Sequence, residues 1–292
     1  MTCPVCDSHH FTLALTVKDH SVSRKFFDVV QCSQCTLRMT KNAPPENEIG
    51  PYYQSENYIS HTNTRKGLVN ALYHSVRSRT LAGKYHLLKT ATGLEKGRHL
   101  DIGAGTGAFV QYMNKQGWHS EGVEPDEQAR ARALAHHDTR LLPAEALSSY
   151  MPGTFDAISL WHVLEHVHDL YAYLQHIKKL LTPRGRVFIA VPNYTSYDAV
   201  KYQSNWAAYD VPRHLWHFSP ESMHWLLKQA GFDLKEEVPM WWDSFYISLL
   251  SEKYAGESGG LVKGFMCGVI SNLQAVRNKE KCSSLIYVAG NP

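Results

Sequence analysis

Three groups of residues in this chain have types and spacings that could do chemistry. Cys3 and Cys6 form one C-x-x-C pair, and Cys32 and Cys35 form another. Two such knuckles can supply four thiolates to a tetrahedral zinc, each tight turn aiming its pair at one ion. A disulfide framework would need a secretory context and a redox pair would need a βαβ frame, and the opening stretch MTCPVCDSHH offers neither. So small a ribbon lacks a core of its own, so its zinc is read as structural. Cys267 and Cys282 stand alone and read as ordinary thiols. The second group is HVLEH, residues 162–166, which fits H-x-x-E-H, a pattern in which paired histidines bind zinc and a glutamate acts as base. The third is the glycine run DIGAGTG, with Asp101, Gly103, Gly105 and Gly107.

The elements that must position these groups follow from pattern. With 292 residues and 43% hydrophobic side chains, the chain can bury a substantial core. A net charge of +3 is too small for a dedicated nucleic-acid binder. No apolar leader or run of roughly 18 apolar residues is present, so a cytoplasmic protein without a membrane span is expected. FTLALTV and FFDVVQC are strand-like pieces between the cysteine pairs, and NAPPENE reads as a linker. The stretch 64–90 carries leucines at helical intervals, with Arg and Lys on the remaining face. From Arg98 onward strands and helices alternate: RHLDIGAG, FVQYMNKQG, WHSEGVEP, EQARARALAHH, TRLLP, FDAISLW, a helix after Asp169, and RVFIAVP. Asp126 and Ser219 are helix caps, the latter with Pro220 at the first helical position. Such alternation predicts an α/β fold with a doubly wound, mostly parallel sheet and its ligand at the C-terminal strand ends. The tail reads as a strand near 234–238, two helices, and a final strand SSLIYVAG. The expected division is a zinc ribbon over 1–45, a linker and helical lid over 46–95, and a cofactor-binding domain over 96–292.

The glycine run is G-x-G-x-G, between a strand and a helix, and Glu124 ends the next strand. Glycines let a ligand lie against backbone N–H groups near a helix start, while a carboxylate accepts two hydrogen bonds from a ribose diol. That combination points to an adenosine-type cofactor. DIGAGTG, GVEPD, AEAL, FDAISLWHVLEHVHD and LTPRGRVFIAVPN, in this order, resemble the successive motifs of class I S-adenosylmethionine-dependent methyltransferases. The resemblance covers about residues 65–292 and is nearest the small-molecule, ubiquinone-biosynthesis-like type. It implies a seven-stranded Rossmann-like sheet and S-adenosylmethionine as cofactor. Gly103, Gly105 and Gly107 would line the methionine part, with Asp101 ordering the loop or meeting the amino group. Glu124, beside Pro125, would bind the ribose, Ala144 and Glu145 would meet adenine, and Trp161 and His162 would border the cofactor. PYYQSENYISH resembles the lid of such enzymes, in which Tyr52 and Tyr53 could close over the cofactor or simply pack the junction. The N-terminal ribbon resembles that of some bacterial sugar methyltransferases.

In this frame HVLEH is not a peptidase motif, because the segment before the helix capped by Asp169 is too short for two helical turns of ligands. Families of this type carry E-x-x-E-H here, and some use it for a divalent metal. Histidine at 162 disfavours magnesium and leaves Glu165 and His166 as a partial site for a softer ion, although a hydrogen-bonded pair bracing the turn is the favoured reading. His162 itself lies where a methyl group would be delivered. A second cluster, from Trp206 to Phe218, holds Tyr209, Arg213, His214, Trp216 and His217 and should fold over the same sheet edge. Either it stacks an acceptor or it packs as a lid. His162 and His214, then His217, are the candidate bases, since an imidazole titrates near neutral pH. The expected activity is methyl transfer to a small molecule such as a sugar, cell-envelope precursor or aromatic hydroxyl. An RNA methyltransferase using the ribbon and a non-catalytic cofactor-binding protein are the alternatives; the oligomeric state is not legible.

Overall fold

The computed structural model describes residues 1–53, 68–256 and 260–292, with backbone alone for 68–77. The PYYQSENYISH lid therefore lies outside the described residues beyond Tyr53, as does the start of the basic helix.

At the N-terminus β1 (Phe11–Lys18), β2 (Phe26–Cys32) and β3 (Arg38–Thr40) form an antiparallel ribbon. After a short 3-10 turn, Gly50–Tyr53, helix α1 (Leu68–Thr92) leads into the alternating part. There β4 (Arg98–Ile102), α2 (Ala108–Lys115), β5 (His119–Val123), α3 (Glu127–His137), β6 (Phe155–Trp161), α4 (Leu170–Leu180) and β7 (Leu181–Pro192) follow the predicted order. Helix α5 (Tyr197–Tyr202), strand β8 (Trp216–His217), helix α6 (Pro220–Gln229) and strand β9 (Asp233–Pro239) come next. Helices α7 (Asp243–Ala255) and α8 (Gly260–Arg277) and strand β10 (Ser284–Gly290) complete the chain.

The main sheet has the order β5-β4-β6-β7-β10-β9. β4, β5, β6 and β7 are parallel, while β10 runs antiparallel between β7 and β9. The tail thus returns to the sheet, between β7 and the edge strand β9. The seventh strand expected at TRLLP is reduced to one bridge beside β5. Leu142 donates its N–H to Gly122 O and accepts from Glu124 N–H, both at 2.9 Å. Pro143 then lacks the N–H that would extend the ladder, and the chain turns into a 3-10 segment, Ala144–Ser149.

Alternation along the central strands feeds two layers. Ala157, Phe188 and Ala190 face α1 and α2 through Tyr85, Leu88, Phe109 and Met113. Ile158, Leu160, Val187 and Ile189 face α4 and α6 through Leu170, Leu174, Met223 and Leu226. The predicted caps form: Asp126 accepts from Gln128 N–H, Asp169 from Ala172 N–H and Ser219 from Ser222 N–H, the last as a full capping box.

β8 pairs with β3, Arg38 opposite His217 and Met39 opposite Trp216, so the connection after β7 adds a fourth strand to the ribbon. Asp198 anchors that connection from below, accepting from Trp206 Nε1 (2.7 Å), Ser271 Oγ (2.8 Å) and Ser283 Oγ (2.7 Å).

Candidate active site

The glycine run leaves β4 in a left-handed turn, with φ +70° at Gly103, +54° at Gly105 and +73° at Gly107. Gly103 is packed, since a β-carbon there would sit 2.4 Å from Val163 Cγ2. Gly105 is open: among the described residues nothing lies within 4 Å of where its β-carbon would be. A ligand can therefore rest against the backbone at Gly105. Glu124, at the end of β5, faces this turn and accepts from Gly105 N–H (2.8 Å) and Asp126 N–H (3.0 Å), one on each oxygen. Each oxygen keeps a lone pair, so the carboxylate is oriented by the fold and still able to accept from a diol. Pro125, Ala144 and Glu145 are exposed at the rim, beside the Leu142 bridge.

Asp101 is buried and accepts from Ser159 Oγ at 2.5 Å. Behind it His99 bridges Ser159 Oγ (2.9 Å) and Ser120 Oγ (2.7 Å). Burial pushes His99 down to about 3, so it is neutral, and burial raises Asp101 to about 6. Lys84, from α1, lies 4.1 Å from the centre of the Trp161 ring and 5.7 Å from that of Phe109. Burial lowers its pKa to about 8 against the pull of Asp101 and Asp243. Lys84 was visible in the sequence only as part of a basic helix face.

At the end of β6, His162 takes a left-handed conformation, φ +57°, and its N–H bonds Ala190 O at 3.0 Å. Its Nε2 donates to Asp243 Oδ2 at 2.9 Å, and its Nδ1 lies 3.4 Å from Glu165 Oε1. Burial would lower its pKa, but the two carboxylates raise it to about 10. In this arrangement His162 carries its proton at neutral pH and has no lone pair for base catalysis. Asp243, at the start of α7, was not foreseen; its only signal was a carboxylate opening a helix in the tail.

The remaining candidate bases sit elsewhere. His217 is buried in β8, where its Nε2 bonds Thr40 Oγ1 at 3.0 Å and its ring packs 5.1 Å from Tyr209. It belongs to the seam between ribbon and connection. His214 is also buried, its Nδ1–H donating to Ala208 O at 2.8 Å. The expected aromatic wall is interior packing: Trp206 and Tyr209 are buried, and Arg213 bonds Asp210 and, at 2.8 Å, Tyr52 O. Tyr53 meets His166 Nδ1 through its hydroxyl at 3.1 Å, so both tyrosines are brought to this histidine cluster. Glu165 and His166 are not the hydrogen-bonded pair anticipated. Glu165 is fully buried with neither oxygen hydrogen-bonded among the described residues, and His166 Nδ1 bonds Arg213 O at 3.0 Å.

In the ribbon, Cys3, Cys6, Cys32 and Cys35 come together with their sulfurs within 4.8 Å of one another. Cys3–Cys35 and Cys6–Cys32 are 3.4 and 3.5 Å apart. These are far beyond the roughly 2.05 Å of a disulfide and close to the edge of a tetrahedron with Zn–S of about 2.3 Å. The two knuckles share one geometry: Asp7 N–H bonds Cys3 O and Thr36 N–H bonds Cys32 O, with Asp7 and Thr36 both left-handed.

A glycine turn and ribose-type acid at the parallel strand ends, over a sheet closed by an antiparallel return, define a Rossmann-like methyltransferase fold. A methyltransferase domain family matches residues 73–237, and the chain belongs to it. Among curated relatives, a ubiquinone biosynthesis O-methyltransferase of Pseudomonas aeruginosa is 32% identical over 108 residues, 35% of this chain and 47% of that protein. The mitochondrial ubiquinone biosynthesis O-methyltransferase of Homo sapiens is 29% identical over 182 residues, 55% of this chain and 49% of that protein. The matches span about half the length of these relatives. A putative sarcosine dimethylglycine methyltransferase from Galdieria sulphuraria superposes with TM-score 0.51 and 16% identity, covering 74% of this chain and 85% of that one. A phosphoethanolamine N-methyltransferase 2 from Haemonchus contortus, in complex with S-adenosyl-L-methionine, gives 0.50 and 22%, covering 72% and 52%. These two share the fold.

Proposed function

We propose that the protein transfers a methyl group from S-adenosylmethionine to a small-molecule hydroxyl. The observation that carries this is Glu124, held by Gly105 N–H and Asp126 N–H opposite an open glycine backbone. Glu124 would hold the ribose, Gly105 the methionine segment, Lys84 the carboxylate and Asp101 the ammonium, with Ala144 and Glu145 at the adenine. When bound, S-adenosylmethionine would supply an electrophilic methyl on sulfonium sulfur; the acceptor oxygen would take that methyl as the carbon–sulfur bond breaks, and the hydroxyl proton would pass to water. The chain's own contribution is alignment of the two reactants and charge at the acceptor.

His162 and Asp243 face that step from the end of β6. An imidazolium whose pKa of about 10 matches that of a phenol stabilises an acceptor oxygen as it ionises, without acting as its base. This favours an acidic hydroxyl, in keeping with relatives whose names place them in ubiquinone biosynthesis. Cys3, Cys6, Cys32 and Cys35 would hold a structural zinc, through which the ribbon keeps β8 and the connection in place.

Calorimetric titration with S-adenosylmethionine and its homocysteine product tests the first half. Binding in the wild type and its loss in Glu124→Ala are expected; no binding by the folded wild type would overturn the reading. Radiolabelled methyl transfer to a panel of phenols and catechols against aliphatic alcohols tests the second.

A further inference from the structure

Helix α8 is built inside out. Its buried residues are Gly264, Cys267, Gly268, Ser271 and Ala275, all of them small. The large apolar side chains face water: Val262 is 73% exposed, Met266 50%, Leu273 60% and Val276 72%, with Val269 partly exposed between them. At 3.6 residues per turn the two sets lie on opposite sides of the helix. Close packing on α7 fixes which side is which. A β-carbon at Gly264 would sit 2.9 Å from Leu249 Cα, and one at Gly268 would sit 3.0 Å from Phe245 Cα. Among the described residues nothing covers the outward stripe.

We propose that α8 is a dimerisation helix, which pairs antiparallel with α8 of a second copy of this chain along Val262, Met266, Val269, Leu273 and Val276, on a two-fold axis at Val269. The stripe advances by four, three, four and three residues, the seam spacing with which one helix docks on another. It also reads nearly alike in both directions, Val-Met-Val-Leu-Val. A two-fold axis therefore sets Val262 on the partner's Val276 and Met266 on the partner's Leu273, the self-complementarity that an isologous contact requires.

Charge and area agree with that occupant. The stripe carries no charge, and Lys263 and Arg277 lie off it near the two helix ends, where long side chains swing apart into water at little cost. Phe265, 54% exposed and 5.2 Å from the Phe245 ring, widens the patch beside the stripe. The two copies together offer on the order of 1,200 Å², where specific interfaces begin. The pairing also bears on the candidate active site, because α8 packs on α7, whose first residue, Asp243, holds His162.

Sedimentation velocity of the full chain at micromolar concentration tests the pairing without any turnover. The wild type should sediment as a dimer. Met266→Glu and Leu273→Glu put a carboxylate into the seam on both copies and should each weaken the dimer by at least about a hundredfold. Leu134→Glu, at a similarly exposed leucine of α3, should leave it unchanged. Near-ultraviolet circular dichroism should be the same in all of them, since these side chains already face water within one chain. Under mild oxidation Val269→Cys should yield a disulfide-linked dimer, with the wild type as control for the native cysteines. Val262→Cys alone should not, because its two copies stand roughly 20 Å apart across the axis, but mixed with Val276→Cys it should. A monomeric wild type would overturn the proposal, whether or not that monomer floats with phosphatidylglycerol vesicles. So would a dimer that survives both glutamate variants, or one that links through Val262→Cys and not through Val269→Cys.

Discussion

The cysteine cluster of the ribbon and the glutamate–histidine cluster beneath the connection both gather side chains of types able to ligate a metal, but they are built in opposite ways. In the ribbon each pair is set by its own knuckle, with the same N–H to carbonyl bond after Cys3 and after Cys32. Beneath the connection the three residues come from segments separated by α4, β7 and the whole 193–213 excursion, and only packing brings them together. A site written in local spacing carries the fold around it, whereas a site assembled by packing depends on a fold already made.

That difference can be broken by substitution, and the largest effect belongs to the ribbon. Cys32→Ser should disable the zinc site proposed for the four cysteines and loosen the knuckle end of β1 to β3, because the ribbon's buried hydrophobics clustered with the cysteines are only Val5 and Leu37, whereas Val17 and Val29 pack with the connection. Amide protection in those strands should fall by at least about a hundredfold, and β8 should loosen with them. Unchanged protection would mean that the ribbon is held by packing against the main domain, and the contrast would collapse.

The glycine turn sharpens the same comparison within one loop. Gly103→Ala meets Val163 and an unfavourable φ together, so a stability loss of roughly 3 kcal/mol is expected from urea unfolding. Gly105→Ala has open space and should cost only about 1 kcal/mol, while weakening S-adenosylmethionine binding by roughly tenfold or more. Equal effects on stability, with no difference in affinity, would remove Gly105 from the cofactor surface.

The smallest effect is electrostatic. His162 has its pKa raised to about 10 by Asp243 and Glu165. Its stabilising contribution is therefore complete below the unfolded imidazole value of about 6.5 and is lost as pH rises through 10. The wild type should lose thermal stability between pH 7 and 10 more steeply than Asp243→Asn does. Parallel profiles would show that the pair carries no net coupling.

Much of the frame was legible in the sequence. The caps at Asp126, Asp169 and Ser219 and the order of strands followed from local rules, because capping and periodicity are decided within a few residues. TRLLP read as a full strand because its apolar run was visible, whereas the missing N–H of Pro143 limits it to one bridge. The aromatic run from Trp206 to Phe218 was readable as either acceptor wall or packing. Only the pairing of β8 with β3 and the Asp198 bonds decided for packing.

By itself, then, the sequence determined the α/β frame, the glycine turn, the acid after it and the four cysteines, since each rests on interactions among near neighbours in the chain. The tertiary structure alone decided that Lys84 and Asp243 face the strand ends, that His162 is held as an imidazolium, and that His214 turns toward Glu165 and His166. Those outcomes depend on which distant charges share a buried volume, and burial with its electrostatics has no local signature.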